Sequence, residues 1–326
     1  MTLEEFLKTW NSPSDTLLVH TSGSTGKPKL MMVEKRRMLN SARITCDFLG
    51  LKPGDTALLC MSLDYIAGKM MVVRSLERHL RLVAVKPSGH PLADGSLPNI
   101  DFAAMVPMQV YNSLQVPAER ERLSRIKHLI IGGGAIDEEL AKLLRGMPNA
   151  VWSTYGMTET LSHIALRRLN GEEADDWYQP FGSVGVSTSE EGCLVIDAPL
   201  VCGERLVTND MVEMKQDGEG KKVLFRVKGR KDNVICCGGI KIQIEEVEDK
   251  LRPHLSNPFM LAKKKDGKFG EIAVLLTESD DLETVERICR EVLARYSKYW
   301  IPKEYLHYDK LPMTETGKPK RAIFVK

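Results

Sequence analysis

The sequence lacks most of the features that mark membrane, secreted, zinc-bound and nucleic-acid-binding proteins. No apolar run approaches the roughly 18 residues that span a bilayer, and residues 1–10 are acidic and amphipathic, unlike a signal peptide. The seven cysteines are scattered, and the adjacent Cys236 and Cys237 have neither zinc-site spacing nor a separation suited to a disulfide. The net charge of +2 gives no electrostatic reason to expect nucleic acid or an anionic membrane as a partner. We therefore expect a cytoplasmic protein with no membrane span and with reduced thiols.

Internal repeats and low-complexity segments are also absent, and what remains is an ordinary globular composition. Hydrophobic residues make up 43% of the 326 residues and charged residues 28%, which suits a water-soluble fold with a sizeable core. A chain of this length has room for two domains.

The first half of the chain alternates short apolar runs with segments of helical periodicity. Met38, Ala42 and Cys46, for example, fall on one face of a helix with a 3.6-residue period. Continuous apolar runs separated by helices are typical of a largely parallel sheet with helices packed on it. The runs are Leu17–Thr21, Ala57–Met61, Leu82–Val85, Phe102–Val106, His128–Ile131 and Ala150–Thr154.

The pattern changes after about residue 180. Shorter segments interrupted by glycine indicate antiparallel strands up to about residue 230. Residues 233–326 then resemble a small α+β unit, with a helix near Glu245–Leu251, a hairpin around Asp266-Gly267 and an amphipathic helix over Leu282–Arg295. The predicted fold class is α/β: a large domain with a mostly parallel sheet, helices and a small antiparallel region, followed by a small α+β C-terminal domain.

Glycine, hydroxyl and charged residues collect where the apolar runs end. Open parallel sheets bind ligands beyond the carboxyl ends of their strands, so this distribution predicts a ligand site at that edge. The segments are Ser22–Lys27 after the first run, Pro107 after the fourth, Gly132–Gly134 after the fifth and Tyr155–Glu159 after the last.

The first of these segments is rich in hydrogen-bond donors. Thr21, Ser22, Gly23, Ser24, Thr25, Gly26 and Lys27 are followed by Pro28 and Lys29, and such a loop can close over polyphosphate. It is not a Walker A loop, because two residues rather than four separate the glycines and proline follows the lysine. A Ser/Gly-rich surface turn is the alternative for this segment alone.

Four further motifs carry groups that suit a nucleotide. An aromatic ring offers a base a stacking face, a hydroxyl can contact phosphate, and a carboxylate can bind ribose hydroxyls or Mg²⁺. The motifs are Tyr155-Gly156-Met157-Thr158-Glu159-Thr160, Thr208-Asn209-Asp210, Gly229-Arg230-Lys231-Asp232-Asn233 with Gly238-Gly239 behind it, and Pro312–Arg321, which contains Gly317-Lys318.

In this order and spacing, the five motifs resemble those of the adenylate-forming superfamily of acyl-CoA synthetases, adenylation domains and luciferases. The resemblance runs from about residue 15 to the end of the sequence. It implies an enzyme that joins a carboxylic acid to AMP using ATP and Mg²⁺ and then passes the acyl group to coenzyme A. It also implies a large domain over residues 1–231 and a mobile C-terminal domain over residues 232–326.

The resemblance assigns a role to each matching position. Residues 21–27 resemble the pyrophosphate clamp, and Gly132, Gly133, Gly134, Tyr155 and Gly156 the adenine pocket. Thr158 would contact phosphate, Glu159 would bind magnesium, and Thr160 and Gly133 would border the acid. Asp210 and Arg230 resemble the ribose ligands, Asp232 the hinge, and Lys318 the lysine that bridges the acid and the α-phosphate. The glycine-containing strand around Gly238 and Gly239 would face the coenzyme A channel.

Two departures from the family pattern stand out. The segment Met61–Gly68 replaces a Pro-Leu-Phe-His-like gate, with Tyr65 at the histidine position. The first phosphate motif begins at Thr21, whereas relatives carry a large N-terminal segment before it, so we expect much of one subdomain to be missing. The exposed surface would then be covered by self-association as a homo-oligomer or by a short helix around Leu3–Trp10.

Phe102–Val110 and Ile130–Ile136 resemble the corresponding segments of the o-succinylbenzoate–CoA ligases of menaquinone biosynthesis. That group has Arg or Lys where Arg74 falls, six residues after Gly68 and among apolar neighbours. A buried arginine needs an anion. The second carboxylate of o-succinylbenzoate would serve, and a structural ion pair with Glu77 or Asp64 is the alternative.

Three other functions are weighed against this one. The acid could be a different aryl or acyl acid, the chain could be a catalytically dead nucleotide-binding module, or it could be a P-loop NTPase. The glycine spacing disfavours the last, and the joint presence of Lys318, Glu159 and Asp210 disfavours a dead copy.

Overall fold

The computed structural model describes residues 1–20, 30–134, 136, 138–218, 220, 222–313 and 319–321. The chain divides into two compact units. The first comprises Met1–Ser187, Ile196–Leu206 and Met214–Phe225, and the second comprises Thr188–Val195, Val207–Glu213 and Arg226–Lys326. Among the described residues, no helix combines the length and the apolar character that crossing a membrane would require.

The first unit contains six α-helices and nine strands among its described residues up to Pro180. The helices are α1 (Leu3–Trp10), α2 (Lys35–Leu49), α3 (Ile66–Arg78), α4 (Pro107–Gln115), α5 (Pro117–Arg125) and α6 (Glu138–Arg145). The strands are β1 (Thr16–His20), β2 (Leu30–Glu34), β3 (Thr56–Leu59), β4 (Arg81–Ala84), β5 (Phe102–Met105), β6 (His128–Ile131), β7 (Ala150–Gly156), β8 (His163–Arg168) and β9 (Gln179–Pro180).

Seven of these strands form one sheet in the order β4-β3-β5-β6-β7-β8-β9. The first five are parallel to one another, and β8 and β9 are added antiparallel. Every residue of β3 and β5 is buried, which explains why these strands appear in the sequence as continuous apolar runs. The predicted α/β class with a mostly parallel sheet is confirmed.

Helices α4, α5 and α6 cover one face of this sheet. They contribute Val110, Leu123 and Leu140 to a core shared with alternate strand residues such as Met105 and Leu129. The other face is buried as well, and α3 packs there on β3 and β4. A sheet covered on both faces leaves its strand ends as the exposed places where polar groups can gather.

The first apolar run was expected in the parallel sheet, and this expectation is wrong. Strand β1 instead pairs antiparallel with β2 in a separate two-stranded ribbon. The reason is visible in the burial of alternate residues: Leu17 and Val19 are buried, whereas Leu18, Leu30 and Met32 are exposed. Period-two burial marks a ribbon with one covered face rather than a strand buried on both faces.

The remaining strands form two further sheets. A four-stranded sheet has the order β10-β11-β12-β13, from β10 (Gly185–Thr188), β11 (Cys193–Asp197), β12 (Leu206–Gln216) and β13 (Val223–Arg230). A five-stranded sheet in the second unit has the order β15-β14-β17-β16, with β18 paired to β17. Its elements, with the two helices beside it, are β14 (Val234–Cys237), β15 (Ile240–Gln243), α7 (Ile244–Leu251), β16 (Phe259–Asp266), β17 (Gly270–Thr277), α8 (Leu282–Leu293) and β18 (Glu304–His307).

The predicted α+β nature of the C-terminal segment is confirmed. Helix α8 begins at the N-cap Asp281, whose carboxylate accepts the Thr284 amide at 2.9 Å. Its Val285, Cys289 and Val292 recur at helical spacing and are buried in the core of the second unit. Strands β16 and β17 form the hairpin predicted around residue 266.

Candidate active site

The carboxyl ends of the parallel strands bring four predicted segments of the first unit to one edge of the sheet. Residues 60–68 follow β3, residues 106–107 follow β5, residues 132–134 follow β6, and Tyr155 and Gly156 end β7. Because these strands are parallel neighbours, their ends meet on the same side.

The glycine run after β6 lies close to backbone and side-chain neighbours. The amide of Gly132 donates to the Met105 carbonyl at 3.0 Å, which ties the run to the end of β5. A Cβ on Gly132 would lie 2.3 Å from Thr154 Oγ1, and Gly133 has a φ of 81°, in the left-handed region. A side chain would meet Thr154 at the first position and strain the backbone at the second, so the glycines leave a patch without side chains.

Tyr155 lies beside this patch in an aromatic cluster of the first unit. Its ring meets Phe225 edge-on at a centroid distance of 5.0 Å and lies 5.8 Å from the ring of Tyr178. Tyr178 stacks on Phe225 at 5.5 Å, and its hydroxyl is hydrogen bonded to Ser153 Oγ at 2.8 Å. A half-buried ring fixed by two neighbours is suited to stacking with a planar ligand.

The segment after Tyr155 folds into a short 3₁₀ helix, Thr158–Thr160. Thr158 is buried and Glu159 is exposed, so the carboxylate points away from the core. The Thr160 hydroxyl is used inside the turn: it lies 3.1 Å from the Met157 amide and 2.8 Å from the Ser162 carbonyl. The turn is therefore held from within, and the Glu159 carboxylate is left available to a ligand.

Leu161 continues this segment in a strained conformation. It has a φ of 65° and a ψ of −32°, and the Ser162 amide donates to the Thr160 carbonyl at 2.7 Å across it. This is a γ-turn with positive φ, which is rare and costly for a bulky residue. The strain is maintained because Leu161 is buried, with 2% of its surface exposed.

Arg74 of α3 is the most unusual charged residue of this region. It is 2% exposed and its Nη2 donates to Ser162 Oγ at 2.5 Å. Its Nη1 donates to Met71 Sδ at 3.8 Å. Its Nε has no hydrogen-bond partner among the described residues. Burial lowers the pKa of this guanidinium to about 10, which leaves it charged at neutral pH.

The alternative of a structural ion pair for Arg74 is wrong within the described residues. The Glu77 carboxylate pairs with Arg43 at 3.1 Å and with Arg78 at 3.4 Å. The Asp64 carboxylate pairs with the amino group of Met1 at 2.9 Å. Arg74 thus carries a buried positive charge, and no carboxylate of the described residues pairs with it.

The gate segment precedes α3, with Tyr65 as the N-cap residue and 40% exposed. Gly68 is required there, since a Cβ would lie 2.3 Å from the Ser62 carbonyl oxygen. Gln109 fixes the start of this segment. Its Nε2 donates to the carbonyls of Cys60 at 3.2 Å and Ser88 at 2.9 Å, and its Oε1 accepts the Val106 amide at 3.2 Å. The glutamine therefore ties together the chain after β3, β4 and β5.

In the second unit, the predicted ribose ligands lie together. Arg230 Nη1 donates to Asp210 Oδ1 at 3.2 Å, and its Nη2 donates to Asp232 Oδ2 at 3.0 Å. Asn209 Nδ2 also donates to Asp232 Oδ2, at 3.1 Å. Asp210 is half-buried and Asp232 is exposed, so the arginine orients one sheltered carboxylate and one at the surface.

Gly238 and Gly239 were expected within a strand, and the structure places them in the turn between β14 and β15 instead. Their φ values of 57° and 83° are both left-handed, as a two-residue hairpin turn requires. The strand residues that flank the turn are Cys237 and Ile240, which pair across it.

Two predicted motifs lie outside the described residues. Thr21–Lys27 fall between β1 and β2, and Lys318 falls between Met313 and Pro319, which pair in an antiparallel bridge. The chain after Lys318 is anchored in the second unit, where Arg321 Nη2 donates to both oxygens of the buried Glu248 at 2.6 Å. Within the described ranges, no group of three or more His, Cys, Asp or Glu residues is arranged to hold a metal.

The prediction from sequence missed Ser162, which contacts Arg74, and His163, which begins β8 directly after it. The only signal was two polar residues directly after the Tyr155–Thr160 motif, and no periodicity links them to Arg74. The structure adds them to the site through the 2.5 Å contact between Arg74 and Ser162.

Comparison with known proteins identifies the family to which the chain belongs. Residues 4–205 match the AMP-binding enzyme family. The chain is 27% identical to the 2-succinylbenzoate–CoA ligase of Haemophilus influenzae and 24% identical to that of Bacillus cereus, covering 91% and 92% of this chain and 67% and 68% of those proteins.

Solved structures agree. The acyl-CoA synthetase (AMP-forming)/AMP-acid ligase II-like protein of Dyadobacter fermentans is 33% identical, with a TM-score of 0.66 and coverage of 98% of this chain and 91% of that one. The o-succinylbenzoate coenzyme A synthetase of Bacillus subtilis, solved with ATP and a magnesium ion, shares the fold with a TM-score of 0.74 at 22% identity, covering 94% and 69%. The resemblance inferred from the motifs is confirmed, and the chain belongs to the AMP-binding enzyme family of AMP-forming acyl-CoA synthetases.

Proposed function

We propose that this chain activates o-succinylbenzoate with ATP, releases pyrophosphate, and transfers the acyl group from AMP to coenzyme A. The observation that carries the choice of acid is Arg74, a buried cation without a carboxylate partner among the described residues. The names of the relatives from Haemophilus influenzae and Bacillus cereus support the same acid.

Each unit by itself carries groups that suit one part of the nucleotide. The ring of Tyr155 and the bare surface of Gly132–Gly134 suit adenine, and the sheltered carboxylate of Asp210, oriented by Arg230, suits the ribose hydroxyls. The loop of residues 21–27 would donate hydrogen bonds to the departing pyrophosphate.

Magnesium would enter with ATP. The exposed Glu159 carboxylate beside Thr158 fits this ion, because Mg²⁺ keeps several waters and needs only one or two protein carboxylates beside the phosphates. When bound, the ion would neutralise phosphate charge. Lys318 would place a second positive charge between the attacking carboxylate and the α-phosphate, where two anions must approach each other.

We further propose that the second half-reaction uses a different orientation of residues 232–326, with Asp232 at the hinge. The lysine would leave and the hairpin turn at Gly238-Gly239 would face the pantetheine arm. Such rearrangements let one enzyme assemble two surfaces in sequence.

The spare carboxylate of the acid would meet Arg74. Among the described residues, the Arg74 Nε lacks a partner and its Nη1 has a thioether, so the guanidinium retains donors for a carboxylate. Without that anion the buried charge is uncompensated, so an acid with a second carboxylate should be preferred to one without.

The reaction class is tested by acid-dependent ATP–pyrophosphate exchange. An adenylating enzyme exchanges label only when an acid is added, a phosphohydrolase consumes ATP without one, and a catalytically dead nucleotide-binding module does neither. Exchange with another aryl or acyl acid but not with o-succinylbenzoate would leave the reaction class standing and overturn the substrate.

Arg74→Ala tests the acid directly. A hydrogen bond to a charged group contributes about 1.5–3 kcal/mol, so kcat/KM for o-succinylbenzoate should fall roughly 10- to 150-fold while KM for ATP stays unchanged. Most of the loss should appear in KM, because the contact is remote from the reacting carboxyl. Arg74→Lys should recover part of it, keeping the charge without the planar fork.

Two controls make this test specific. Arg43→Ala removes a 58% exposed arginine, and Glu77 keeps its ion pair with Arg78, so this variant should behave as the wild type. A monocarboxylate analogue should be insensitive to Arg74→Ala. Equal losses for both acids would show that Arg74 supports the fold instead.

A further inference from the structure

A row of buried and half-buried polar groups begins at Arg74 and joins α3, β8 and α2. Ser162 Oγ, which receives Arg74 Nη2, lies 3.2 Å from His163 Nδ1. His163 Nε2 lies 3.1 Å from Thr45 Oγ1, and the Thr45 hydroxyl lies 3.1 Å from the Ser41 carbonyl. Thr45 and His163 are 118 residues apart in sequence, so this contact belongs to the tertiary fold.

The direction of each hydrogen bond follows from counting protons. Arginine can only donate, so Ser162 Oγ accepts from Arg74. If Thr45 gives its one proton to the Ser41 carbonyl, it must accept from His163 Nε2–H. His163 Nδ1 is then an acceptor and receives the Ser162 proton. In this arrangement every hydroxyl proton of the row has a partner.

The opposite direction is less favourable. If Thr45 donated to His163, then His163 Nδ1–H would donate to Ser162, and the Ser162 oxygen would accept twice. No described protein group other than Arg74 and His163 is within hydrogen-bond distance of Ser162 Oγ, so the Ser162 proton would lack an acceptor in the protein. Unpaired polar groups in partly buried sites are costly.

The surroundings keep His163 neutral. It is 8% exposed, and burial together with the charge of Arg74 moves its pKa well below the usual range. A neutral imidazole offers one donor and one acceptor, which is what the row requires. The strained γ-turn at Leu161 precedes Ser162 and His163, and Ser162 Oγ lies within hydrogen-bond distance of both Arg74 and His163.

We propose that His163 is a positioning residue, which holds Ser162 as a hydrogen-bond acceptor and so fixes Arg74 with its Nε and Nη1 donors directed to an anionic group of the acid. This role rests on the proposed function, in which Arg74 receives the spare carboxylate. His163 and Thr45 do not touch the acid; they act through Ser162.

The experiment compares His163→Leu, His163→Gln and Thr45→Val in steady-state kinetics, with circular dichroism and thermal unfolding to verify folding. His163→Leu should raise KM for o-succinylbenzoate on the order of 10-fold, the low end for a bond to a charged group, and leave kcat within about twofold. His163→Gln, whose amide also offers an acceptor and a donor, should restore KM to within about threefold of the wild type.

Thr45→Val removes the hydroxyl that accepts from His163 and should raise KM in the same direction, by less than His163→Leu. KM for a monocarboxylate analogue should not change in any of the three variants. An unchanged KM for o-succinylbenzoate in His163→Leu, or an equal rise for both acids, would overturn the proposal. If His163→Leu does not fold, the proposal is tested by comparing His163→Gln with Thr45→Val. Equal KM values for o-succinylbenzoate in these two variants and the wild type would overturn the proposal.

Nitrogen-15 NMR of the histidine ring gives a readout that does not depend on activity. The proposal requires the Nε2–H tautomer in the ligand-free wild type, and the Nδ1–H tautomer or an imidazolium would contradict it. This measurement also separates the two hypotheses. A wild type that ignores o-succinylbenzoate refutes the proposed substrate, whereas the wrong tautomer refutes only the positioning role.

Discussion

Gly156 offers a sharp test of the site geometry. A side chain at this position would clash with backbone atoms, which cannot move aside as a flexible side chain can. A Cβ at this position would lie 2.3 Å from the Ser162 carbonyl oxygen and 2.4 Å from His163 Cα. Real Cβ atoms essentially never come within 3.0 Å of such neighbours. Gly156→Ala must therefore push β8 away from β7 at the irregular pairing between Tyr155 and Gly156.

The magnitude follows from two opposing effects. Overpacking of this kind costs about 1–3 kcal/mol, and the lower entropy of the unfolded alanine chain returns about 0.4–1 kcal/mol. We expect a net loss of about 1–2 kcal/mol in the free energy of unfolding, measured by urea denaturation. The loss of adenylation activity should exceed the loss of stability, because the displaced backbone belongs to Ser162 and His163 and lies close in sequence to Glu159. ATP–pyrophosphate exchange should fall by about 10-fold or more.

Two other glycines of the first unit serve as matched controls. A Cβ added at Gly146 or Gly182 would have no atom within 4 Å, and neither glycine has a left-handed φ. Gly146→Ala and Gly182→Ala should leave exchange unchanged and stability the same or slightly higher. If Gly156→Ala matched these controls in both measurements, the close approach of β8 to Gly156 would be wrong.

Three further predictions concern the second unit and the buried histidine. Lys318→Ala should slow acyl-adenylate formation on the order of 10²- to 10³-fold and spare thioester formation from supplied acyl-adenylate, and equal losses in both steps would indicate a structural role. Asp232→Pro should retain adenylation and lose coenzyme A transfer, because proline fixes the backbone angle φ at the proposed hinge. The control Asp232→Ala loses the same hydrogen bonds to Arg230 and Asn209 but should keep both steps. The folded pKa of His163 lies well below its unfolded value of about 6.5, so the unfolded state binds the extra proton. Stability therefore falls as the pH drops below 6.5, by up to about 1.4 kcal/mol per pH unit. His163→Gln should flatten this slope in urea titrations at pH 7.5 and 5.5, and an equal slope would mean that His163 is not held neutral.

The elements that sequence patterns predicted well are those whose signal is local. Strands β3, β5, β6 and β7 are short apolar runs followed by polar residues, because both faces of the sheet are covered and only the strand ends are free. The resemblance to a family named Asp210 and Arg230 as ribose ligands, and the structure adds that they lie 3.2 Å apart. Their roles, like those of Tyr155–Thr160, stay predictions.

The elements that the sequence patterns missed depend on neighbours that are distant in the chain. The first apolar run looks like the others, yet its alternating burial places it in the β1–β2 ribbon. Gly238 and Gly239 have the positive φ that a two-residue hairpin turn needs, whereas the resemblance to the family predicted a strand at these positions. The contact between Thr45 and His163 joins residues of α2 and β8, and neither has a local pattern that would predict the other.

The turn that runs from Gly156 to His163 joins two parts of the proposed site. Glu159, proposed to meet the metal, and Ser162, which holds Arg74, are three residues apart and lie on either side of the Leu161 γ-turn. The Thr160 hydroxyl binds the turn at both ends, at the Met157 amide and the Ser162 carbonyl. Because one side chain contacts both ends of the turn, we expect the two ends to move together. A change at Ser162, which contacts the group proposed for the acid, should therefore also alter the placement of Glu159, the group proposed for the metal.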